Sequence, residues 1–400
     1  VQGRRILCVG ECGVQGADWV IDATGRTVMP GLIDAHVHNN WLHRGVLPPT
    51  NMEAASYLAM GVTTVMDPSA WSQNVFPAAE LIEAGEMLGP RTLSTGDPLF
   101  RGDGDRHNRI ETPEDAAIEI DRLVAWGATA VKQYNQPRRE QRQWIAEAAR
   151  ARSLMLTGEG GDLAFTLSLI MDGQTGWEHP LPYAPTYSDV ARFFGGAGAT
   201  YSATLGVGGP GPWNEEFFLG NWPPSGSLRL RGFIPWRQLA PASRRVIDRP
   251  DSDYSFPLIA ETIKDILEAG GNSALGSHGQ QHGIAPHWEI WMLAEALGPV
   301  GALEVATMGG ARFLGVNQDL GSLEKGKLAD LVVLASNPLQ DIRDTTDIDL
   351  VMKAGTVWHA RDLVEAWPEP GVPSQFILED TDLRQGSRSV DQWDRQEGPP

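Results

Sequence analysis

The sequence predicts an α/β chain: a TIM-type (β/α)8 barrel with a small β-sandwich domain formed by the N- and C-terminal arms. Three observations carry that prediction. Apolar or β-branched runs alternate with helix-like segments from Gly31 to about Gly279, the pattern of a parallel sheet with crossover helices. Eight strand-helix pairs can be counted, and eight close a barrel of this type. β-rich stretches at 5–9 and 19–21, and again at 329–334 and 351–358, flank the alternation and can pair into one small domain.

The first strand is the most informative. Residues 30–38 read PGLIDAHVH, an apolar run that ends in His36 and His38. Side chains alternate faces along a strand, so both imidazoles point the same way. Two neutral imidazoles on one face make half of a metal site. A pair of surface or core histidines is the ordinary alternative, but the position directly after a buried run favours metal.

The remaining elements follow in order. A helix at 52–60 leads to a second strand at 61–67 that ends on Asp67, and a helix at 78–88 leads to a third strand at 91–95. Thr112-Pro113-Glu114-Asp115 marks a helix start, with a hydroxyl N-cap, proline at the first helical position and acids in the first turn. That helix runs to Trp126 and feeds a fourth strand at 130–134, followed by a helix at 141–151 and a fifth strand at 154–159. Helix 163–171, strand 175–179, helix 190–194 and strand 200–205 continue the rhythm. From Gly206 to about Ser255 it breaks, and the stretch is read as a functional loop or lid. Helix 257–269, strand 273–278 and helix 288–297 complete the count. The expected parts are an N-terminal arm at 1–29, the barrel at 30–315, a C-terminal arm at 316–366 and an extended tail at 367–400 that is partly disordered.

Composition narrows the function classes. With 42% hydrophobic and 21% charged residues the 400-residue chain has ample core. A formal net charge of −19 disfavours a nucleic-acid or anionic-membrane partner, since both need a basic patch. No apolar run is read as approaching the ~20 residues of a membrane helix, so no membrane partner is expected. The two cysteines, Cys8 and Cys12, are read as free thiols. The chain opens at Val1 without a signal-peptide pattern, which suits a processed product or a domain cut from a longer protein. A homo-oligomer stays open.

In a barrel the chemistry sits at the C-terminal strand ends, and these carry His36, His38, Asp67, Lys132, Glu159, His179 and His278. Each has an ordinary alternative. His179 could be a satisfied core histidine, Lys132 a solvated surface lysine and Glu159 a turn carboxylate. His278 could ligate metal, act as general base or only line the pocket. Asp67 is as readily structural as catalytic, and His282 and His287 are read as supporting or surface residues. The sequence holds no G-x-G-x-x-G turn, no G-x-x-x-x-G-K-[ST] loop and no G-x-S-x-G elbow, which disfavours nucleotide enzymes and serine hydrolases.

Segments 21–25, 30–38, 61–67, 302–315 and 321–331 (GSLEKGKLADL) together resemble the amidohydrolase superfamily, in its prolidase and imidazolonepropionase-like branch. Segments 131–137, 157–162 and 275–280 are similar to amidohydrolase domains that follow Tol-type β-propellers in large bacterial proteins, which implies an extracytoplasmic (periplasmic) origin. The resemblance implies two histidines on strand one, a carboxylated lysine on strand four, histidines on strands five and six and an aspartate on strand eight. His36, His38, Lys132 and His179 match this pattern, whereas Glu159 stands where a histidine is usual and His278 where the aspartate is usual.

The function expected is a metal-dependent hydrolase of an amide or peptide-like C–N bond. One or two divalent ions, zinc by default, would activate water. His278 or Glu159 would carry the proton to the leaving nitrogen. Tyr134, with Trp213, Trp222 and Trp236 for apolar contact and Arg229, Arg231 and Arg237 for a carboxylate, would bind an N-acyl amino acid or dipeptide. The alternatives are a deaminase or cyclic amidohydrolase on the same site, and a binding module with a degenerate metal site.

Overall fold

The β-branched runs form strands, and the strands fall into four sheets. The computed structural model of the chain describes residues 1–13, 16–43, 45–101, 108–134, 136–243 and 249–371. Strand β1 (Thr27–Pro30) precedes the alternation. β2 (Leu32–Asp34), β3 (Val62–Asp67) and β4 (Arg91–Ser94) make one parallel sheet. β5 (Leu99–Phe100), β6 (Ala130–Tyr134) and β7 (Met155–Glu159) make a second. β8 (Gly176–Glu178), β9 (Thr200–Ser202) and β10 (Asn272–Ser273) make a third.

Single backbone hydrogen bonds link these sheets. Thr129 N–H donates to Ser94 O at 3.1 Å, Thr175 N–H to Leu156 O at 3.0 Å, and Ala35 N–H to Leu275 O at 2.8 Å. The last joins the eighth strand region back to the first. All strand C-termini therefore face one end, where the loops converge.

Local chemistry sets the crossover helices. Thr112 caps helix Pro113–Trp126: its hydroxyl accepts from Asp115 N–H at 3.1 Å while the Asp115 carboxylate accepts from Thr112 N–H at 2.9 Å. Such a cap contributes about 1 kcal/mol. Gly127, at φ 107°, ends the helix in a left-handed turn that other residues rarely adopt. Trp177, Trp288, Tyr57, Tyr201 and Phe194 are fully buried and are among the largest side chains of the core.

Three expectations are corrected here. The stretch from 206 to 255 is largely helical, with helices Glu215–Asn221, Leu228–Phe233 and Trp236–Ser243. Phe218, Leu230, Phe233 and Leu239 anchor it in the core. Helices this short, punctuated by Gly and Pro, leave no sustained period to read. Helix Ala285–Glu304 continues through a π-turn to Phe313, and this run of 29 residues is long and apolar enough to cross a membrane by length and composition, against expectation. In the fold Trp288, Ile290, Met292 and Leu293 are buried, and Gly298 at φ 67° kinks the helix. Cys8 and Cys12 are joined in a disulfide, not free; their Cα atoms lie 6.1 Å apart, within the span a disulfide bridges.

The arms meet in one five-stranded antiparallel sheet, ordered β1, β11 (Leu331–Leu334), β12 (Ile348–Lys353), β13 (Thr356–His359) and β14 (Glu365–Trp367). Residues 5–9 and 19–21 are not strands; the N-terminal arm enters the sheet through Thr27–Pro30, and among the described residues ahead of it isolated bridges pair Gln2 with Arg5 and Arg5 with Leu328. Residues 372–400, most of the expected tail, lie outside the described residues.

Candidate metal centre

Four histidines from three strand ends converge at the mouth. The His36 ring centroid lies 5.0 Å from that of His38, 4.9 Å from that of His179 and 5.0 Å from that of His278. His38 and His278 are 4.7 Å apart, and His179 and His278 5.1 Å. One ring nitrogen each of His36, His179 and His278 falls within 4.8 Å of the others. His36 Nε2 is 3.2 Å from His38 Nε2.

Backbone conformation aims these rings. His179 and His278 sit just past their strands at φ 70° and 64°. Left-handed backbone at a non-glycine residue costs about 1–3 kcal/mol and clusters at functional sites. His278 N–H donates to His36 O at 2.7 Å, tying the eighth strand end to the first. Beneath them the buried Asp34 carboxylate accepts from the Ser277 hydroxyl, from Ser277 N–H at 3.0 Å and from His36 N–H at 3.2 Å. Burial pushes Asp34 up to about 7 against those hydrogen bonds.

Polar partners orient two of the rings. His179 Nδ1 is 2.7 Å from Thr204 Oγ1, and His278 Nδ1 is 2.7 Å from Gln280 Oε1, so each directs Nε2 inward. Buried His36 keeps Nδ1 without a hydrogen-bond partner. Burial, then the charge of Lys132, hold His36 well below the usual imidazole range, and burial followed by His38 hold His278 at about 4. Both are neutral at ordinary pH, the state in which imidazole binds a metal. An orphaned buried nitrogen and a convergent imidazole set fit a divalent ion of borderline softness.

Lys132 is fully buried beside the histidines, 2.7 Å from Glu178 Oε2 and 3.1 Å from Glu159 Oε2. Burial opposes its charge, but the two carboxylates outweigh burial and raise it. Glu159 Oε2 also lies 2.8 Å from His179 Nε2. Burial favours its neutral form, yet the hydrogen bond from His179 and the charge of Lys132 hold it at about 2. Tyr134 sits under Lys132, whose Nζ is 4.7 Å from the ring centroid, and stacks on Phe100.

Asp67 has a structural role. It accepts from Trp41 Nε1–H at 2.8 Å and from Asn39 N–H at 3.4 Å, and stands 3.6 Å from His38 Nδ1. His287 is buried in the core, with Nε2 on Met60 O at 2.9 Å, contrary to its surface or supporting reading.

The arginines expected to hold a carboxylate are engaged elsewhere. Arg231 donates to the Ser225 carbonyl, and Arg229 to the carbonyls of Thr346 and Ile348. Trp222 packs on Phe217, Phe218 and Trp291. Trp213 is half exposed, and Arg237 lines a cleft with Asn40 and Glu53 rather than the one holding His38. Sequence reasoning missed Glu178, Thr204, Gln280 and Ser277, all of which touch or orient the histidine set.

The sequence model of the amidohydrolase family matches residues 242–358. Among solved structures, a Xaa-Pro dipeptidase with methionine bound in its active site aligns with a TM-score of 0.66 at 20% identity, covering 90% of this chain and 94% of that one. A candidate prolidase from Bifidobacterium longum aligns at 26% identity with a TM-score of 0.63, covering 88% and 84%. The family match covers under a third of the chain, and the structural neighbours give its parallel α/β part a TIM-barrel-like fold. A 5-methylthioadenosine/S-adenosylhomocysteine deaminase from Moorella thermoacetica is 29% identical over 144 residues, 29% of this chain. That match spans a third, 33%, of the deaminase's length.

Proposed function

We propose that this chain is a member of the amidohydrolase family and a metal-dependent hydrolase of an amide or peptide-like C–N bond. The observation that carries the reading is the convergence of His36, His38, His179 and His278, two of them with Nδ1 already engaged, on one point at the strand ends. These imidazoles would hold the ion, zinc by default. When bound, it would lower the pKa of a water and polarise the scissile carbonyl.

The chain's own groups do the rest. Glu159 engages Lys132 and His179 through Oε2 alone, which leaves Oε1 to take the proton from the attacking water and return it to the leaving nitrogen. His278, with one nitrogen on Gln280 and the other facing the centre, is the weaker candidate for that shuttle. Lys132 clamps Glu178 and Glu159. Its carboxylated form, which the family resemblance implies, would trade both ion pairs for an oxygen ligand in the loaded protein; intact mass with and without bicarbonate reads it. The same reading takes the three parallel sheets as arcs of one closed ring, supported by the backbone bonds between them.

The test combines metal analysis of the unchelated protein with hydrolysis of a panel of N-acyl amino acids and dipeptides. Bound transition metal and activity lost in His36→Ala are expected. A metal-free protein whose His36→Ala variant keeps every activity overturns the enzyme reading in favour of a binding module. The deaminase relative supports a second reading, and release of ammonia without peptide cleavage would favour it.

A further inference from the structure

The loop after the seventh strand begins at Thr204, held in left-handed backbone at φ 45° and ψ 59°. That conformation strains a β-branched residue and persists only where the surroundings over-determine it. Thr204 is also the residue that aims a histidine. Its hydroxyl donates to the Ala203 carbonyl at 2.8 Å, so towards His179 Nδ1, 2.7 Å away, Oγ1 acts as acceptor. A ring tied at Nδ1 keeps Nε2 turned to the centre.

What holds Thr204 comes from a distant element. Glu289, on helix Ala285–Glu304, is buried, and its two carboxyl oxygens take the two amides that follow the turn. Oε2 accepts from Leu205 N–H at 3.0 Å and Oε1 from Gly206 N–H at 2.6 Å. The Thr204–Leu205 peptide is planar, so a grip on Leu205 N–H fixes the ψ angle of Thr204 directly. Asn214 grips the same turn by its carbonyls, with Nδ2 donating to Leu205 O at 2.7 Å and to Gly208 O at 3.3 Å. Burying an acid opposes folding, and here hydrogen bonds that fix a turn offset it.

We propose that Glu289 is a positioning residue for the centre: by holding the Leu205 and Gly206 amides it keeps Thr204 in its left-handed turn, and Thr204 in turn aims His179. The inference rests on the metal reading of the histidine set, and it extends that set's support to a helix that contributes no ligand.

The test reads the His179 ring first without metal and then through it. In the metal-free full chain with isotope-labelled histidine nitrogens, Glu289→Gln should displace the His179 ring resonances in the same direction as Thr204→Val. His287→Gln, on the same helix but bonded to Met60 O, should leave them in place. Loaded with cobalt(II), Glu289→Gln should bind the ion roughly tenfold more weakly in chelator competition and change its visible absorption. The double variant with Thr204→Val should bind no more weakly than Thr204→Val alone, since the two residues lie on one path. Glu289→Met, which removes both acceptors without setting a donor against the amides, takes the place of Glu289→Gln should that variant not fold. His179 resonances that stay unmoved, or affinity losses that add in full in the double variant, overturn the brace. Displaced resonances in a chain that takes up no cobalt support the brace and count against the metal reading.

Discussion

His36 and His287 are both fully buried, both have their basicity suppressed by burial, and both keep a ring nitrogen without a partner. Their surroundings differ. His287 donates to a single carbonyl, Met60 O, among apolar side chains. His36 meets His38 from its own strand end and His179 and His278 from two others, and Glu178 lies 3.7 Å from its Nδ1. A perturbed pKa therefore marks burial in both places, and only convergence from independent elements marks a site.

The largest expected effect breaks that comparison at its active end. His36→Ala should empty the centre of metal, read by metal analysis, and reduce hydrolysis to background, while His287→Gln leaves metal content unchanged. Loss of metal in both variants would mean that the two regions are not separable.

Glu178 tests the support beneath the centre. Its carboxylate and Lys132 Nζ are 2.7 Å apart, with side-chain exposures of 1% and 0%. Removing one partner of a buried pair leaves an uncompensated charge, and Glu178→Ala should cost about 3 kcal/mol. Glu159 remains as a second partner for the ammonium, which keeps the figure at the low end. A denaturant midpoint that does not move would show the pair to be idle.

Orientation should matter less than presence. Thr204→Val and Gln280→Ala each free one ring nitrogen to turn, and each should weaken metal affinity 10–100-fold, the usual effect of losing an outer partner of a ligand. Competition with a chelator reads this. Unchanged affinity in both would argue that φ 70° at His179 and φ 64° at His278 already fix the rings.

How much of this the sequence disclosed depends on how local the signal was. Strand 62–67 and the cap at Thr112 were legible because β-branched runs and capping boxes are written in consecutive residues. The His36, His38, His179 and His278 set was legible because a barrel puts strand ends on one face. Glu178 was not: simple alternation sends it away from His179, and only the left-handed turn at 179 brings both inward. Arg231 looked like a carboxylate clamp until the short helices of its segment placed it on the Ser225 carbonyl, a contact no periodicity encodes. The eighth strand is a ladder only over Asn272–Ser273, and beyond it Ala35 N–H to Leu275 O and His278 N–H to His36 O tie it to the first strand.

The smallest effect lies at the inactive end of the comparison and shows only as a slope. Burial, against the hydrogen bond to Met60 O and aided by the charge of Arg229, holds His287 at about 4, whereas an unfolded chain would protonate it near the ordinary value of 6.5. Between those two values the unfolded state binds more protons than the folded one, so stability is full above about 6.5 and is lost as pH falls towards 4. Below that the folded form protonates too and the slope ends. His287→Gln removes the titrating group and should flatten the fall in Tm across this window while metal content at neutral pH stays that of the parent. A slope that survives in His287→Gln would move the acid sensitivity to the histidines of the mouth, and the two regions would then be linked through a shared proton rather than separated by it.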